Sequence, residues 1–208
     1  MMLEALQTRL ENLYELSVPQ RVQDFLITDA ALARHFDATL QARESLLIRH
    51  AEDRLDMALY VDDSVLARFR SINPRDALKH ENFNDFMIAL EGVSHFLYVA
   101  WNAGHDKSVT PMELELQAEV DKFVMAAAMT GARRADLHDV MFDQPVFDSA
   151  LTPELLERYR DANDFAARYC RHLERNFDWR AARELLVELR RFYRLPRYAK
   201  LDRIKHCH

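Results

Sequence analysis

Hydrophobic positions recur every three or four residues along most of this chain. That spacing places apolar side chains on one face of a helix. Residues that stop helices separate the apolar segments, namely Pro19, Gly104, Gly131 and Pro196. The pattern predicts helices over residues of about 2–16, 29–60, 62–69, 76–103, 111–129, 153–177 and 179–194. We therefore expect an all-α fold, a single-domain helical bundle of about six or seven helices over residues 1–208.

Two of the helix starts have explicit sequence signals. Thr110 and Glu113 form a capping box, with proline at the first helical position between them. Thr152 precedes another proline in the same way. These signals predict helices that begin at residues 111 and 153.

Glycine is scarce, because the chain has three glycines among 208 residues. A Walker A loop or a dinucleotide-binding turn needs clustered glycines so that backbone N–H groups can approach phosphates. The sequence therefore excludes the glycine-rich nucleotide-binding classes, and it also lacks the GxSxG, HExxH and CxxC motifs. The composition, 49% hydrophobic and 30% charged, is typical of a globular protein.

Features of the whole chain predict a soluble, cytoplasmic protein. No apolar run reaches the roughly 18 residues that a membrane span requires. The first residues lack the basic and apolar regions of an export signal. The two cysteines, Cys170 and Cys207, are too few for a disulfide framework and fit a reducing compartment. Cys170 lies on the apolar stripe of its helix, which predicts a buried and unreactive thiol.

Two acidic residues interrupt the apolar face of the predicted helix over 111–129. Glu119 lies within that face, and Glu115 lies at its edge four residues earlier. A buried carboxylate is costly unless it is paired or binds a cation. We therefore expect both glutamates to be largely buried, Glu119 more so. One of them should contact Arg43, His50, Arg54 or His95.

Basic residues lie on the core-facing side of the predicted helix over 29–60. They are Arg43, His50 and Arg54. Guanidinium groups suit carboxylate and phosphate partners. These residues therefore predict either an ion-pair network with the two glutamates or a pocket for a small anionic ligand.

The helix around residue 91 has one polar row on an otherwise apolar surface. Glu91 and His95 are four residues apart, close enough to touch or to share a ligand, and Tyr98 and Asn102 continue the row. One interpretation is a narrow solvent face; the other is an internal site. The internal site would combine the candidate ligand-binding residues Arg43, His50, Arg54, Glu91, His95, Glu115 and Glu119.

A metal-binding interpretation uses the carboxylates and the imidazole of this set. Glu91, His95, Glu115 and Glu119 resemble in part the ligands of ferritin-like di-iron proteins, in which inward glutamates and paired Glu-x-x-His motifs bind two metals. The resemblance implies iron or manganese. The spacing departs from that family, because His95 follows Glu91 by four residues and no second Glu/His pair is evident. Without this interpretation, the sequence predicts no cofactor.

The charge of the chain is unevenly distributed. Residues 158–208 have a net charge of +7, so the rest of a chain of net charge −6 has −13. The basic C-terminal helix and tail, about 179–208, predict an arginine-rich docking face for an acidic protein partner or for a homo-oligomer. The net negative charge of the chain argues against a nucleic-acid partner. The face consists of Arg180, Arg183, Arg190, Arg191, Arg194 and Arg197.

Two classes of function are consistent with these features. The first is a helical binding or regulatory module that docks an acidic partner and holds a small anion at the internal charges. The second is a small helical metalloenzyme with a carboxylate–histidine site. The sequence contains no complete catalytic constellation, so it leaves open whether the protein is an enzyme.

Overall fold

In the computed structural model, the described residues are 2–51, 54–70, 80–130, 134–143, 145 and 152–207. They are mostly helical and include a small three-stranded mixed sheet. The prediction of a largely helical protein is confirmed, and the prediction of a purely α-helical one is wrong. None of the described helices is long and apolar enough to cross a membrane.

The described helices and strands follow one another along the chain. The helices are α1 Met2–Tyr14, α2 Ala30–Phe36, α3 Asp63–Arg70, α4 His80–Ala103, α5 Pro111–Thr130, α6 Arg134–His138, α7 Pro153–Asn176, α8 Arg183–Arg194 and α9 Arg197–Lys205. The strands are β1 Leu26–Ile27, β2 Glu44–Ala51 and β3 Arg54–Val61. A 3₁₀ turn covers Val22–Phe25, and a π-helical turn covers Asp139–Asp143.

The chain divides into two compact units. The first unit comprises Met1–Glu11 and Leu16–Ser108, and the second comprises Asn12–Glu15 and Val109–His208. The prediction of a single domain stays a prediction. The predicted start of α4 before residue 80 and the predicted stop at Gly131 lie outside the described residues.

The long helix predicted over 29–60 is replaced by α2 and a β-hairpin. Strand β2 pairs antiparallel with β3, and β1 pairs parallel with the other edge of β3. The apolar residues of β3 alternate, at Leu55, Met57, Leu59 and Val61. That period of two is the strand signal. The helical interpretation was wrong because it relied on helix-favouring residue types, whose propensity tertiary packing overrides.

The first unit packs α4 against the hairpin. Leu59 and Val61 of the central strand are buried, as are Leu90, Val93 and Phe96 of α4. Helix α3 also packs on α4. Because α4 is covered on several sides, most of its surface is apolar.

The second unit packs α5 against α7, with α6 and α9 also contacting α7. The predicted capping box is confirmed: the Thr110 backbone N–H donates to Glu113 Oε2 at 2.9 Å, and the Glu113 N–H donates to Thr110 Oγ1 at 3.3 Å. Thr152 caps α7 as predicted. The predicted basic tail after Pro196 is itself helical, and it forms α9.

Candidate functional site

The polar row of α4 is buried. His95 and Asn102 are each 5% exposed and Tyr98 is 1% exposed, so the solvent-face interpretation of this row is wrong. Glu91, one turn before His95, is half-buried. An internal row of this kind requires polar neighbours from other elements.

Strand β2 supplies the neighbour that the sequence analysis missed. Glu44, its first residue, lies beside Glu91 and His95, and one ligand atom from each of the three side chains lies within 4.8 Å of the other two. Glu44 Oε1 is 3.4 Å from His95 Nδ1. The Glu44 and His95 side chains are 9% and 6% exposed. We refer to Glu44, Glu91 and His95 as the carboxylate–histidine cluster.

Gly92 makes room for the carboxylate of Glu44. A Cβ atom at residue 92 would lie 2.9 Å from Glu44 Cγ and 3.0 Å from Leu59 Cδ1, closer than side chains pack. Glycine costs roughly 1 kcal/mol in a helix interior relative to alanine. Its position here lets the strand side chain pack on the α4 backbone between two of the ligand residues. The chain has three glycines, and one of them lies within an apolar helix. That unusual position is the sequence signal that could have indicated this contact.

The arginine predicted beside the cluster is bonded elsewhere. Arg43 Nη2 donates to Asp85 Oδ1 at 2.8 Å, and Arg68 bonds to the same carboxylate. The pKa of Asp85 is lowered below its usual range, and the main cause is the hydrogen bond from Arg68. The side chains of His50 and Arg54, the other predicted basic partners, lie outside the described residues.

Glu115 and Glu119 belong to the second unit. Glu115 is buried as expected and lies 3.6 Å from the Arg158 guanidinium. Glu119 is more exposed than Glu115, which reverses the predicted order, and it accepts a 2.7 Å hydrogen bond from Lys122. Neither glutamate belongs to the groups of three candidate metal ligands found among the described residues.

A second group of candidate ligands consists of His138, Asp139 and Asp143. Arg171 Nη2 donates to His138 Nδ1 at 2.8 Å, and His138 Nε2 donates to the Ala167 carbonyl at 3.0 Å. Both ring nitrogens are therefore engaged, since Nε2 has the proton and the lone pair of Nδ1 is directed at Arg171 rather than at a metal. This arrangement makes the second group a poor cation site.

Lys200, which the sequence analysis assigned to an exposed tail, is fully buried. Its ammonium donates to Gln117 Oε1 at 2.6 Å, and Gln117 Nε2 donates to Asp121 Oδ1 at 2.8 Å. Tyr14 Oη donates to the same carboxylate oxygen at 2.5 Å. Burial lowers the pKa of Lys200 to about 7. We refer to Tyr14, Gln117, Asp121 and Lys200 as the lysine network.

Part of the predicted arginine face is internal to the second unit. Arg190 lies 2.7 Å from Glu15 and donates to the Leu13 carbonyl at 3.0 Å. Arg194 donates to the Tyr14 carbonyl at 2.9 Å. Both arginines are half-buried, so the predicted exposure does not hold for these two residues, and docking at this face stays a prediction. The exposed members of the set are Arg180, Arg183, Arg191 and Arg197.

Cys170 is buried, as the sequence predicts. The residue is 0% exposed, and burial raises the pKa of its thiol well above the usual value. The thiolate, which is the reactive form, is therefore disfavoured.

No family model, curated protein or solved structure matches this chain.

Proposed function

We propose that the first unit binds one divalent transition-metal ion at the carboxylate–histidine cluster. The observation that supports this function is the convergence of Glu44, Glu91 and His95 within 4.8 Å, from a strand and from two successive turns of one helix. Ligands from two elements would join the hairpin to α4. The proposal keeps Glu91 and His95 from the sequence-based metal interpretation and replaces Glu115 and Glu119 with Glu44.

The spacing of the donor atoms fits a metal ion. Two ligand atoms bound at about 2.1 Å to a tetrahedral zinc ion are about 3.4 Å apart. Glu44 Oε1 and His95 Nδ1 are 3.4 Å apart, which is long for a direct hydrogen bond. The ligand atoms of the cluster are at most 4.8 Å apart, which exceeds that ligand spacing by about 1.4 Å.

The donor types favour a first-row transition metal. Calcium and magnesium prefer oxygen ligands alone, whereas an imidazole favours zinc, iron, nickel or copper. Two carboxylates with one imidazole suit zinc and also the iron or manganese that the sequence analysis suggested. Zinc is the first ion to test, because it has no redox chemistry and accepts this donor set.

The burial of the cluster favours a stabilising ion. Three protein ligands leave at least one coordination position for water, as in catalytic zinc sites. However, side chains that are 6% and 9% exposed leave a substrate little access to the ion. The metalloenzyme interpretation stays a prediction, and the proposed role of the ion is to hold the strand against the helix.

Zinc titration of the chelator-treated protein tests this proposal. We expect one ion per chain by calorimetry and an increase in the free energy of unfolding of about 2.7 kcal/mol at a zinc concentration of 100 times Kd. The double variant Glu91→Gln with His95→Gln should lose both effects. A matched control, His35→Gln with Glu184→Gln, changes exposed residues of the same types.

Melting curves without metal must show that both double variants fold. Zinc binding that is equal in the two double variants would contradict the proposed site. The absence of zinc, manganese and iron binding by the parent protein would contradict the function.

A second candidate function is self-association through the C-terminal arginine surface, defined as Arg180, Arg183, Arg191 and Arg197 with Val187 and Tyr198. The observation that favours it is apolar exposure among these arginines, since Val187 is 60% exposed and Tyr198 is 77% exposed. Arg183, Val187 and Arg191 follow one another at four-residue steps, on one side of α8. Tyrosine and arginine are enriched at protein interfaces.

The acidic partner that we propose for this surface is a second copy of the chain. The net charge of −13 outside residues 158–208 complements the +7 within them. Sedimentation at low and high salt tests the idea, and we expect a dimer that dissociates as salt rises. The variant Arg183→Glu, Arg191→Glu, Arg197→Glu should be monomeric, whereas Arg9→Glu, Arg34→Glu, Arg160→Glu, with the same charge change at other exposed arginines, should not. A monomeric parent protein would contradict this function.

A further inference from the structure

A groove of about 420 Å³ lies along α7 in the second unit. Its volume is within the range of small-molecule sites, roughly 300–1,000 Å³. One wall consists of Arg168, Arg171 and Arg175, at successive turns of the helix. His138 and Asp143, from α6 and the π-helical turn, also line the groove. We refer to this feature as the α7 groove.

A buried histidine orients the central arginine of the groove. His138 is 1% exposed, and its Nδ1 accepts a 2.8 Å hydrogen bond from Arg171 Nη2. The other ring nitrogen donates to the Ala167 carbonyl at 3.0 Å, so the neutral ring has its proton on Nε2. A neutral, fixed acceptor holds the guanidinium without neutralising its charge. Arg171 therefore keeps its remaining N–H donors and its positive charge for a ligand.

The charge of the groove selects an anion. Asp143 lies 3.7 Å from Arg171, but its side chain is 51% exposed, so solvent screens it. Asp164 is the other acidic residue of the lining and is also exposed. The lining thus contains three arginines and two exposed aspartates. A metal ion is disfavoured because both nitrogens of His138 are engaged and a guanidinium lies beside them.

The spacing of the arginines indicates the size of the anion. Arg168 and Arg175 are seven residues apart, which is about 10 Å along a helix. An anion of two linked phosphates can extend along this row, with one phosphate towards each end and Arg171 between them. We infer that the α7 groove is a binding site for the diphosphate group of a small molecule. This site is independent of the proposed metal site.

Calorimetric titration with inorganic pyrophosphate at constant ionic strength tests the inference. We expect one site per chain, with orthophosphate binding about tenfold more weakly. Arg171→Gln should weaken pyrophosphate binding about tenfold or more, because it removes charge-assisted hydrogen bonds. Arg168→Gln, at an exposed position, provides a second variant if Arg171→Gln does not fold.

The control is Arg160→Gln, which changes an exposed arginine of the same helix that does not line the groove. It should leave pyrophosphate affinity unchanged. No pyrophosphate binding by the parent at millimolar concentration, or equal weakening by Arg160→Gln, would overturn the inference. Tighter binding of a single-stranded oligonucleotide, with a steep dependence on salt, would also overturn it, because the phosphates would then belong to a polymer. The Glu91→Gln, His95→Gln variant should bind pyrophosphate normally, so this result and the zinc result can fail separately.

Discussion

The two units each bury a polar cluster beside a long helix, but the two clusters are built from different side chains. In the second unit, Lys200 of α9 brings its own ammonium to the Gln117 and Asp121 side chains of α5. In the first unit, Glu44 and Glu91 lie around His95, and the nearby Arg43 bonds to Asp85. The lysine network therefore includes a basic side chain of the protein, whereas the carboxylate–histidine cluster consists of the donor types that we propose bind a metal ion.

This difference suggests how each cluster contributes to stability. A charge-bearing network that is internally hydrogen-bonded is costly to break but needs no ligand. With the metal bound as we propose, the stability of the carboxylate–histidine cluster would rise with the logarithm of the free metal concentration above Kd. The contribution of the lysine network to stability should thus respond to mutation and to pH. The contribution of the carboxylate–histidine cluster should respond to the free metal concentration.

The largest expected effect is at Asp121, which accepts hydrogen bonds from Tyr14 and Gln117. Asp121→Asn removes the negative charge near the buried ammonium of Lys200. We expect a loss of about 3 kcal/mol in the free energy of unfolding, measured by urea titration below pH 7, where Lys200 is protonated. Asp24→Asn, at an exposed position, is the control and should change little. A loss below about 1 kcal/mol for Asp121→Asn would show that the lysine network is not a tight charged unit.

The next effect is a pH dependence from Lys200. Burial lowers its pKa from 10.5 to about 7 in the folded protein. Between pH 7 and 9 the unfolded lysine keeps its proton while the folded one loses it, so stability rises with pH, by up to about 1.4 kcal/mol per unit. Lys200→Met should remove this rise, measured by urea unfolding at pH 7, 8 and 9.

The control for this pH dependence is Lys205→Met, at an exposed position of the same helix. It should keep the slope of the parent protein. The thiol of Cys170 is present in all three proteins, so its titration cancels in the comparison. Parallel curves for the parent and Lys200→Met would contradict the assignment.

A smaller effect is expected at Gly92. Gly92→Ala places a methyl group 2.9 Å from Glu44 Cγ and should displace the Glu44 carboxylate. We expect zinc affinity to fall about tenfold, or about 1.4 kcal/mol, by calorimetry. Gly104→Ala is a matched control, since its Cβ would approach no atom closer than 3.5 Å. Equal zinc affinity in the two alanine variants would contradict the proposal that Glu44 is a zinc ligand.

The smallest effect should come from Glu119, the acid that the sequence suggested was most deeply buried. Its side chain is 20% exposed and pairs with Lys122 three residues away. Glu119→Gln should therefore cost less than about 1 kcal/mol in a thermal or urea melt. Glu115→Gln should cost more, because Glu115 is buried beside Arg158. The reverse order would restore the sequence-based interpretation of these two residues.

Local features of the fold could be predicted because local sequence determines them. The capping box at Thr110 and the start of α7 depend on residues within one helical turn. The buried face of α8, including Leu185, Leu189 and Phe192, follows from periodicity alone. The hairpin of β2 and β3 was missed because helix-favouring residues obscured the alternation of its apolar positions.

The sequence by itself determined the helix caps, the apolar faces and the acidic and basic residues that had to find partners. Only the tertiary structure decided which residues those partners are. Glu44 and His95 are 51 residues apart, and Lys200 and Gln117 are 83 residues apart. No periodicity along the chain reports such a pairing, because the pairing follows from the packing of whole elements. Packing likewise buried Lys200 and bonded Arg190 and Arg194 within their own unit, although composition alone favoured exposure for all three.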